Sequence, residues 1–371
     1  MNVVLGIGIP VLVLALLALA VRFVADRLAA TVGIGPTHRF RFRLAAIVTA
    51  AAVAVVAGAT SGHPVVGRLY WAGGVVFMLL LYLTLAFLLV RLVETAWPVR
   101  KAWSGTVALV AAAATTAAGV AQARSFRVRE VEIAPPGLQA RVTVMHLSDV
   151  HVGNHRGRDY LQRIVDSTNA RAPDLVVITG DLLDAASAFA PGVLDPLVGF
   201  RAPVFYVGGN HEQEVDHGRA EQAVADRGVR VLRNEVVETH GLQLVGLRYM
   251  RPDPETLDLH PSNERATFKS VLPTLPVAAD VPAVLLHHSP VGARYAAARG
   301  IDLMLAGHTH AGQVFPVTLI AALIFPVNRG LHVRDGLQIH VSPGTGTFLA
   351  PLRVGTSNEI DLLHLVPAVS R

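Results

Sequence analysis

The stretch VTVMHLSDVH, residues 142–151, decides how the second half of the chain folds. Its first six residues are a short apolar run rich in β-branched side chains, which predicts a largely buried strand. The run ends just before Asp149 and His151, so an acid and an imidazole follow the strand directly. Side chains that follow strand ends in an α/β sheet can converge in one crevice, and this pair is therefore a candidate for binding or catalysis.

Four further fragments of this kind lie along the chain, each directly after a predicted strand. They are Gly180-Asp181-Leu182-Leu183-Asp184, Gly208-Gly209-Asn210-His211-Glu212, His287-His288-Ser289-Pro290 and Gly307-His308-Thr309-His310. Besides 142–147, strands are predicted at 175–179, 204–207, 242–247, 284–286 and 303–306, and helices at 159–171 and 218–226. This alternation of strands and helices is typical of an α/β domain.

In this order, the five fragments resemble the motifs of the calcineurin-like metallophosphoesterase superfamily: D-x-H, G-D-x-x-D, G-N-H-[ED], a histidine, and G-H-x-H. The resemblance covers residues 140–366. It includes the tail VSPGTG at 341–346 and PLR at 351–353, which is similar to the bacterial membrane-anchored phosphodiesterase branch. It implies a two-sheet β-sandwich flanked by helices, with a binuclear metal centre at one edge.

The resemblance also implies which residues bind two divalent metal ions. The seven ligands would be Asp149, His151 and His310 for one ion, Asn210, His288 and His308 for the other, and Asp181 as the bridge. Imidazole and carboxylate ligands suit Mn, Fe, Zn or Co, with Mn favoured here. Two such ions can hold a hydroxide as nucleophile and neutralise charge at the phosphorus, which implies a metal-dependent phosphoric ester hydrolase.

Two catalytic residues are expected beside the ligands. His211 is placed to protonate the leaving oxygen, with Asp184 orienting its ring. For Glu212, a supporting role next to the ligands and a solvated position at a helix start both stay open. Of the adjacent His287 and His288, we expect the second to be the ligand, because the histidine of the family usually stands two residues before a proline.

One departure from the family pattern narrows the substrate class. Protein serine/threonine phosphatases of this superfamily follow G-D-x-x-D with Arg-Gly, whereas Ala185 and Ala186 stand here. The arginine that grips phosphate at that point is missing. A phosphodiesterase, or a phosphatase of a lipid or cell-envelope compound, is therefore favoured over a phosphoprotein phosphatase.

The first third of the chain predicts a membrane anchor. The chain is 52% hydrophobic and 16% charged, and it lacks any charge at 2–21, 44–60, 69–90 and 102–123. Segments of about 17–25 apolar residues can cross a bilayer as helices, which predicts about four transmembrane helices over 1–125 and a catalytic domain over 126–371. A cleaved signal peptide for the first segment, and buried core helices for the second and fourth, are the alternatives.

The positions of Lys and Arg predict on which side of the membrane the domain lies. Eight of them fall in the first and third loops, and four in the second loop and after the fourth segment: Arg22, Arg27, Arg39, Arg41, Arg43, Arg91, Arg100 and Lys101, against Arg68, Arg124, Arg127 and Arg129. Because positive loops stay in the cytoplasm, we expect a multi-pass protein of the cell membrane with its catalytic domain outside the cytoplasm. We attribute the net charge of +5 to these signals of membrane topology, so no nucleic-acid partner is expected.

A last apolar segment, VFPVTLIAALIFPV at 314–327, follows the final metal motif. It is too short to span a bilayer. Either it is a buried hairpin, or it rests in the membrane interface and receives a lipid-tailed phosphate ester.

The alternative functions of the protein are a cytoplasm-facing pyrophosphatase of a nucleotide-linked lipid, of the UDP-diacylglucosamine type, and a non-catalytic binding module.

Overall fold

The computed structural model describes residues 2–35, 37–61, 63–97, 100–256 and 262–368. The chain divides into two compact units. The helical unit comprises Met1–Ala59, Val65–Ala121 and Leu349–Leu352, and the sandwich unit comprises Thr60–Pro64, Gln122–Phe348 and Arg353–Arg371.

The helical unit consists of four helices and the short segment near residue 350. The helices are α1 Asn2–Thr31, α2 His38–Thr60, α3 Pro64–Ala96 and α4 Lys101–Ala123. Within the described residues, three stretches are long and apolar enough to cross a membrane: His38–Gly58, Val65–Ala96 and Lys101–Ala123. The prediction of about four spans is therefore high by one. The described side chains of α1, residues 12–31, include Arg22, Asp26 and Arg27, and charges of this kind are costly in hydrocarbon.

Ion pairs join the helices of this unit at one end. The guanidinium of Arg27, near the end of α1, donates to both carboxylate oxygens of Glu94 at 3.0 and 2.9 Å. The Ser104 hydroxyl, in the first turn of α4, donates to the same carboxylate at 2.6 Å. The ends of α1 and α3 and the start of α4 therefore lie together, with the first and third loops at the same end of the unit.

The sandwich unit contains two six-stranded sheets. The first has the order β1-β12-β2-β3-β4-β5 and the second the order β10-β11-β9-β8-β7-β6. The strands are β1 Phe126–Ile133, β2 Val142–Leu147, β3 Leu175–Thr179, β4 Val204–Val207, β5 Arg230–Val231, β6 Glu235–Thr239, β7 Leu242–Gly246, β8 Ala283–Leu286, β9 Leu303–Ala306, β10 Gly330–Arg334, β11 Leu337–Val341 and β12 Asn358–Leu365. The helices are α5 Arg158–Asn169, α6 Asn210–Val215, α7 His217–Ala225, α8 Phe268–Val271, α9 Ala293–Ala298 and α10 Val317–Ile324.

The arrangement confirms the predicted α/β class with two sheets. Apolar side chains from both sheets form one core between them, and separate cores cover the outer face of each sheet. Both faces are covered, which explains why the central strands read as continuous apolar runs. The strands β2, β3 and β4 run parallel, as do β8, β9 and β11 in the other sheet, so several strand ends meet at one edge.

The apolar segment at 314–327 contains the helix α10, and the alternative of a buried hairpin is wrong. The side chains of Leu319 and Ile320 are exposed, and Leu323 is 87% exposed. An apolar helix face left open in this way is typical of a site that contacts a membrane or a ligand.

Candidate metal centre

The predicted ligands lie in the loops that follow five strand ends. Asp149 and His151 follow β2, Asp181 follows β3 and Asn210 follows β4, while His288 follows β8 and the last two histidines, at 308 and 310, follow β9. Five of these residues have a left-handed backbone, with φ between 49° and 72°: Asp149, His151, Asp181, His308 and His310. Backbone strain of this kind at non-glycine residues is characteristic of functional sites.

One group of side chains consists of Asp149, His151 and His310, all buried. The Nε2 atoms of the two histidines are 3.0 Å apart, and His310 Nε2 is 3.3 Å from Asp149 Oδ1. The carboxylate of Asp149 also accepts the backbone N–H of His308 at 3.0 Å. Three ligand atoms therefore face one point in the arrangement that a single divalent cation needs.

The second group consists of Asp181, His288 and His308. His288 Nε2 is 3.0 Å from Asp181 Oδ2 and 3.1 Å from His308 Nδ1. Asn210 follows the adjacent strand β4, and its buried Oδ1 atom has no hydrogen-bond partner among the described residues. A carbonyl oxygen that is buried without a donor is available to a cation.

Asp181 connects the two groups. Its Oδ2 atom lies next to His288, and its side chain also groups with His151 and His211. Burial raises the pKa of Asp149 to about 6, opposed by His288 and reinforced by Asp181. Two buried carboxylates that repel each other are stabilised by positive charge between them, so these residues fit a pair of divalent cations.

His211 lies at the same place, with a different set of contacts from the one expected. Its Nε2 atom is 3.9 Å from Asp181 Oδ2, and its Nδ1 atom is 3.6 Å from Glu214 Oε2. Asp184 approaches His151, whose Nδ1 atom is 3.8 Å from Asp184 Oδ2. Burial lowers the pKa of His211, but Asp181, Glu214 and Asp184 outweigh this and raise the pKa above its usual value.

Glu212 is a buried acceptor and does not lie in solvent at a helix start. One carboxylate oxygen accepts the backbone N–H groups of Asp181 and Gly209, at 3.0 and 2.7 Å. The other oxygen accepts the N–H of Leu183 at 2.9 Å. This side chain therefore holds the loop after β3 against the loop after β4.

Glycines in two of the motifs allow this close approach of loops. A Cβ atom on Gly209 would lie 2.2 Å from Asp181 Oδ1, and one on Gly307 would lie 2.2 Å from Asp149 Oδ2. Carbon and oxygen cannot approach so closely, so any side chain here would displace the carboxylate of Asp181 or Asp149.

Comparison with known proteins agrees with this geometry. Residues 142–312 match the calcineurin-like phosphoesterase family. An uncharacterised metallophosphoesterase of Aquifex aeolicus is 30% identical, over 64% of this chain and 88% of that protein. The chain belongs to the calcineurin-like phosphoesterase family. An uncharacterised metallophosphoesterase of Helicobacter pylori strain J99 is 32% identical over 65% of this chain, and a zebrafish (Danio rerio) transmembrane protein with a metallophosphoesterase domain is 32% identical over 64%.

The chain spans 64% and 56% of the lengths of the Helicobacter and zebrafish proteins. Members of the calcineurin-like family depend on divalent metals, in agreement with the His and Asp clusters of this chain.

The two adjacent histidines after β8 lie in different surroundings. His287 has both ring nitrogens bonded within the protein, because Nδ1 is 2.8 Å from the carbonyl oxygen of Ser289 and Nε2 accepts the N–H of Met250 at 3.3 Å. His288 uses Nδ1 at the carbonyl oxygen of Thr179, 2.8 Å away, which leaves Nε2 facing the carboxylates. A metal-binding histidine commonly bonds its other nitrogen in this way.

Arg353 supports the site and was not singled out from the sequence. Its guanidinium is fully buried and donates to the carbonyl oxygens of His310, Pro343 and Gly346 at 2.8, 2.7 and 2.6 Å. Burial lowers its pKa to about 9. The sequence signal was its place in the tail motif, but which carbonyls it binds depends on long-range folding.

Phe348 forms one wall beside His211. Its ring centroid lies 4.7 Å from that of His211 and 5.8 Å from that of His151. Gln313 fixes its backbone, since the amide Nε2 donates to the Phe348 carbonyl at 2.9 Å and Oε1 accepts the Phe348 N–H at 2.8 Å.

Proposed function

We propose that the protein is a membrane-anchored phosphoesterase that uses two divalent metal ions to hydrolyse a phosphodiester or phosphomonoester of a lipid or cell-envelope compound. The observation that carries this proposal is the convergence of the family's acidic and histidine motifs at one edge of the sandwich, beside the exposed apolar helix α10. When bound, the ions polarise the phosphate and lower the pKa of a water molecule.

The proposed roles of the side chains are as follows. Asp149, His151 and His310 hold one ion, and Asn210, His288 and His308 hold the other, with Asp181 shared between them. His211 stands outside these two sets, 3.9 Å from Asp181 Oδ2, where its ring would donate a proton to the leaving oxygen. Asp184 supports the site through His151, since its carboxylate lies 3.8 Å from that ring.

Helix α10 supports a substrate with a lipid tail. Phe325, directly after this helix, packs edge-on against His308 with ring centroids 5.9 Å apart. The exposed apolar side chains of α10 therefore begin next to a proposed ligand. Acyl chains that lie along this face would bring a phosphate headgroup to the metal centre.

The side of the membrane follows from the positive loops. The first and third loops lie at one end of the helical unit, and eight of the twelve Lys and Arg residues counted lie in these loops or in the parts of the helices that flank them. Positive loops remain in the cytoplasm, so α4, which begins after the third loop, would carry the rest of the chain to the outside. An alkaline phosphatase fusion at the C terminus should then be active. An inactive fusion would favour a cytoplasm-facing enzyme.

The first experiment measures hydrolysis by the full chain purified in detergent. Metal is stripped with a chelator and Mn is added back, with bis-p-nitrophenyl phosphate and p-nitrophenyl phosphate as substrates. We expect Mn to restore activity in the wild type and in Asp166→Ala, an exposed control on α5, but not in Asp181→Ala. The ratio of the two substrates would distinguish diesterase from monoesterase. Absence of activity with Mn, Fe, Zn and Co would contradict the proposal.

The lipid tail is tested separately. Leu323→Glu places a charge on α10, and Val198→Glu is a matched control, because Val198 is also exposed (68%) and follows α5. In mixed micelles containing phosphatidic acid or phosphatidylglycerol, Leu323→Glu should lower turnover at least about fivefold through lost apolar contact. Both variants should hydrolyse bis-p-nitrophenyl phosphate like the wild type. Equal turnover of lipid by both would rule out a role for α10.

A further inference from the structure

A second group of histidine and carboxylate side chains lies between the two sheets. It consists of His146 on β2, His340 on β11 and Asp361 on β12, and none of the three is exposed. One ligand atom from each lies within 4.8 Å of the other two. Positions two and four residues earlier on β2 are Val144 and Val142, which belong to the apolar core between the sheets. The group is therefore polar within an otherwise apolar layer.

The two histidines approach each other in the geometry of shared ligands. His146 Nδ1 is 3.4 Å from His340 Nδ1, which is longer than an ordinary hydrogen bond. Two nitrogen ligands, each about 2.0–2.1 Å from a tetrahedral metal ion, are separated by about 3.4 Å. The other nitrogen of His146 is 2.8 Å from the Thr179 hydroxyl, so the ring is oriented from behind as in metal sites.

Polar atoms in this group lack partners within the described residues. Neither the Nε2 atom of His340 nor either oxygen of Asp361 meets the geometry of a hydrogen bond. Burial raises the pKa of Asp361 to about 7; the nearby Ser342 hydroxyl lowers it in part, although it does not meet the geometry of a hydrogen bond to either oxygen. Burial, aided by Arg129, lowers the pKa of His340 to about 3, and burial also lowers that of His146. The imidazoles are thus neutral and able to bind a cation, which would also compensate the buried carboxylate.

We propose that His146, His340 and Asp361 bind a third divalent cation, separate from the catalytic pair. Two imidazoles and one carboxylate, with no thiolate, suit Zn²⁺, and a water molecule can complete a tetrahedron. The ligands come from three strands of two sheets, so the ion would fasten one sheet to the other. This inference does not rest on the proposed hydrolysis.

Thr179 links this cation to the catalytic centre. Its hydroxyl contacts His146, while its carbonyl oxygen is 2.8 Å from His288 Nδ1. Both ring orientations therefore depend on the last residue of β3. Loss of the third cation would therefore affect the catalytic centre through Thr179, without direct contact between the third cation and the catalytic pair.

The test counts metal per chain and locates it. The full chain is dialysed against Zn²⁺ and zinc is measured by mass spectrometry in the wild type, in His340→Gln and in His364→Gln. His364 also lies on β12, but its Nε2 atom is 3.1 Å from Glu130 Oε2 and it is not part of the group. It therefore serves as the control. We expect His340→Gln to bind one zinc ion fewer than the wild type, and the control to bind the same number.

Anomalous diffraction from wild-type crystals grown with zinc provides a measurement that needs no variant. An anomalous peak between His146, His340 and Asp361 is expected, besides those at the catalytic loops. Peaks at the catalytic loops alone would overturn the proposal, and would indicate a direct hydrogen bond between the two histidines. An unchanged zinc count in a folded His340→Gln protein, checked by circular dichroism, would also overturn it.

Discussion

The loops at the edge of the sandwich and the strands between the sheets both bring histidines to carboxylates, but with different backbones. At the edge, predicted ligands such as Asp149 and His308 have left-handed φ angles and lie beside glycines where a Cβ atom would clash. Between the sheets, His146, His340 and Asp361 occupy regular strand positions. Strained loops aim side chains at a reacting group, whereas strand positions belong to the fold itself. Variants of the edge should therefore affect chemistry most, and variants between the sheets should affect stability most.

The largest effect is expected from Asp181→Ala. This change removes the carboxylate that both groups of ligands share, so kcat/KM for bis-p-nitrophenyl phosphate should fall at least about 10³-fold. Metal content should fall with it, while the melting temperature of the metal-free protein stays close to that of the wild type. Activity above about a tenth of wild type, at saturating Mn, would show that hydrolysis does not depend on a bridging carboxylate at Asp181.

The next largest effect is expected from His211→Ala, and it should depend on the leaving group. With a poor leaving group such as phenol, kcat should fall about 10²–10³-fold, because the lost proton donor matters most there. With p-nitrophenol as leaving group, the decrease should be much smaller, and metal content should not change. An equal decrease for both leaving groups would argue for a ligand-like role of His211.

A smaller effect is expected from Glu212→Gln. The amide cannot accept all three backbone N–H groups, so the loops after β3 and β4 should shift and turnover should fall about 10–100-fold. Glu214→Gln is the control, since that carboxylate is largely exposed and should matter less than about threefold. Equal losses in both variants would mean that Glu214 orients His211.

The smallest effect is expected from Thr179→Val, which changes the link between the two regions. The substitution removes the hydroxyl at His146 but keeps the carbonyl oxygen at His288. Stability should decrease by about 1 kcal/mol, and the melting temperature by about 2–4 °C. A large loss of turnover with unchanged stability would show that the two regions are more tightly coupled than their contacts suggest.

The strands, and the predicted ligands at the edge of the sandwich, could be derived from the sequence because both depend on local patterns. Runs such as Leu175–Thr179 are apolar up to a final threonine, and each predicted ligand follows such a run within a few residues. The group between the sheets could not be predicted in this way. His146 and His340 lie 194 residues apart and belong to no shared motif, so only the packing of one sheet on the other reveals their contact.

Side-chain partners at the edge were also beyond local patterns. The family resemblance implied that Asp184 orients His211, whereas a carboxylate oxygen of Glu214 lies 3.6 Å from His211 Nδ1. The reach of a side chain depends on its rotamer and on the strained backbone beside it. The exposure of α10 depends on what packs against it, which periodicity alone does not specify.

The position of β12 has a consequence for how the protein is made. This strand lies between β1 and β2, although about 210 residues separate the end of β2 from its start along the chain. At roughly 5–20 residues per second, synthesis of that interval takes about 10–45 s. During this time β1 has no neighbouring strand and β2 keeps one open edge, which invites pairing with other chains. We therefore expect the nascent domain to depend on a chaperone until its last strand emerges.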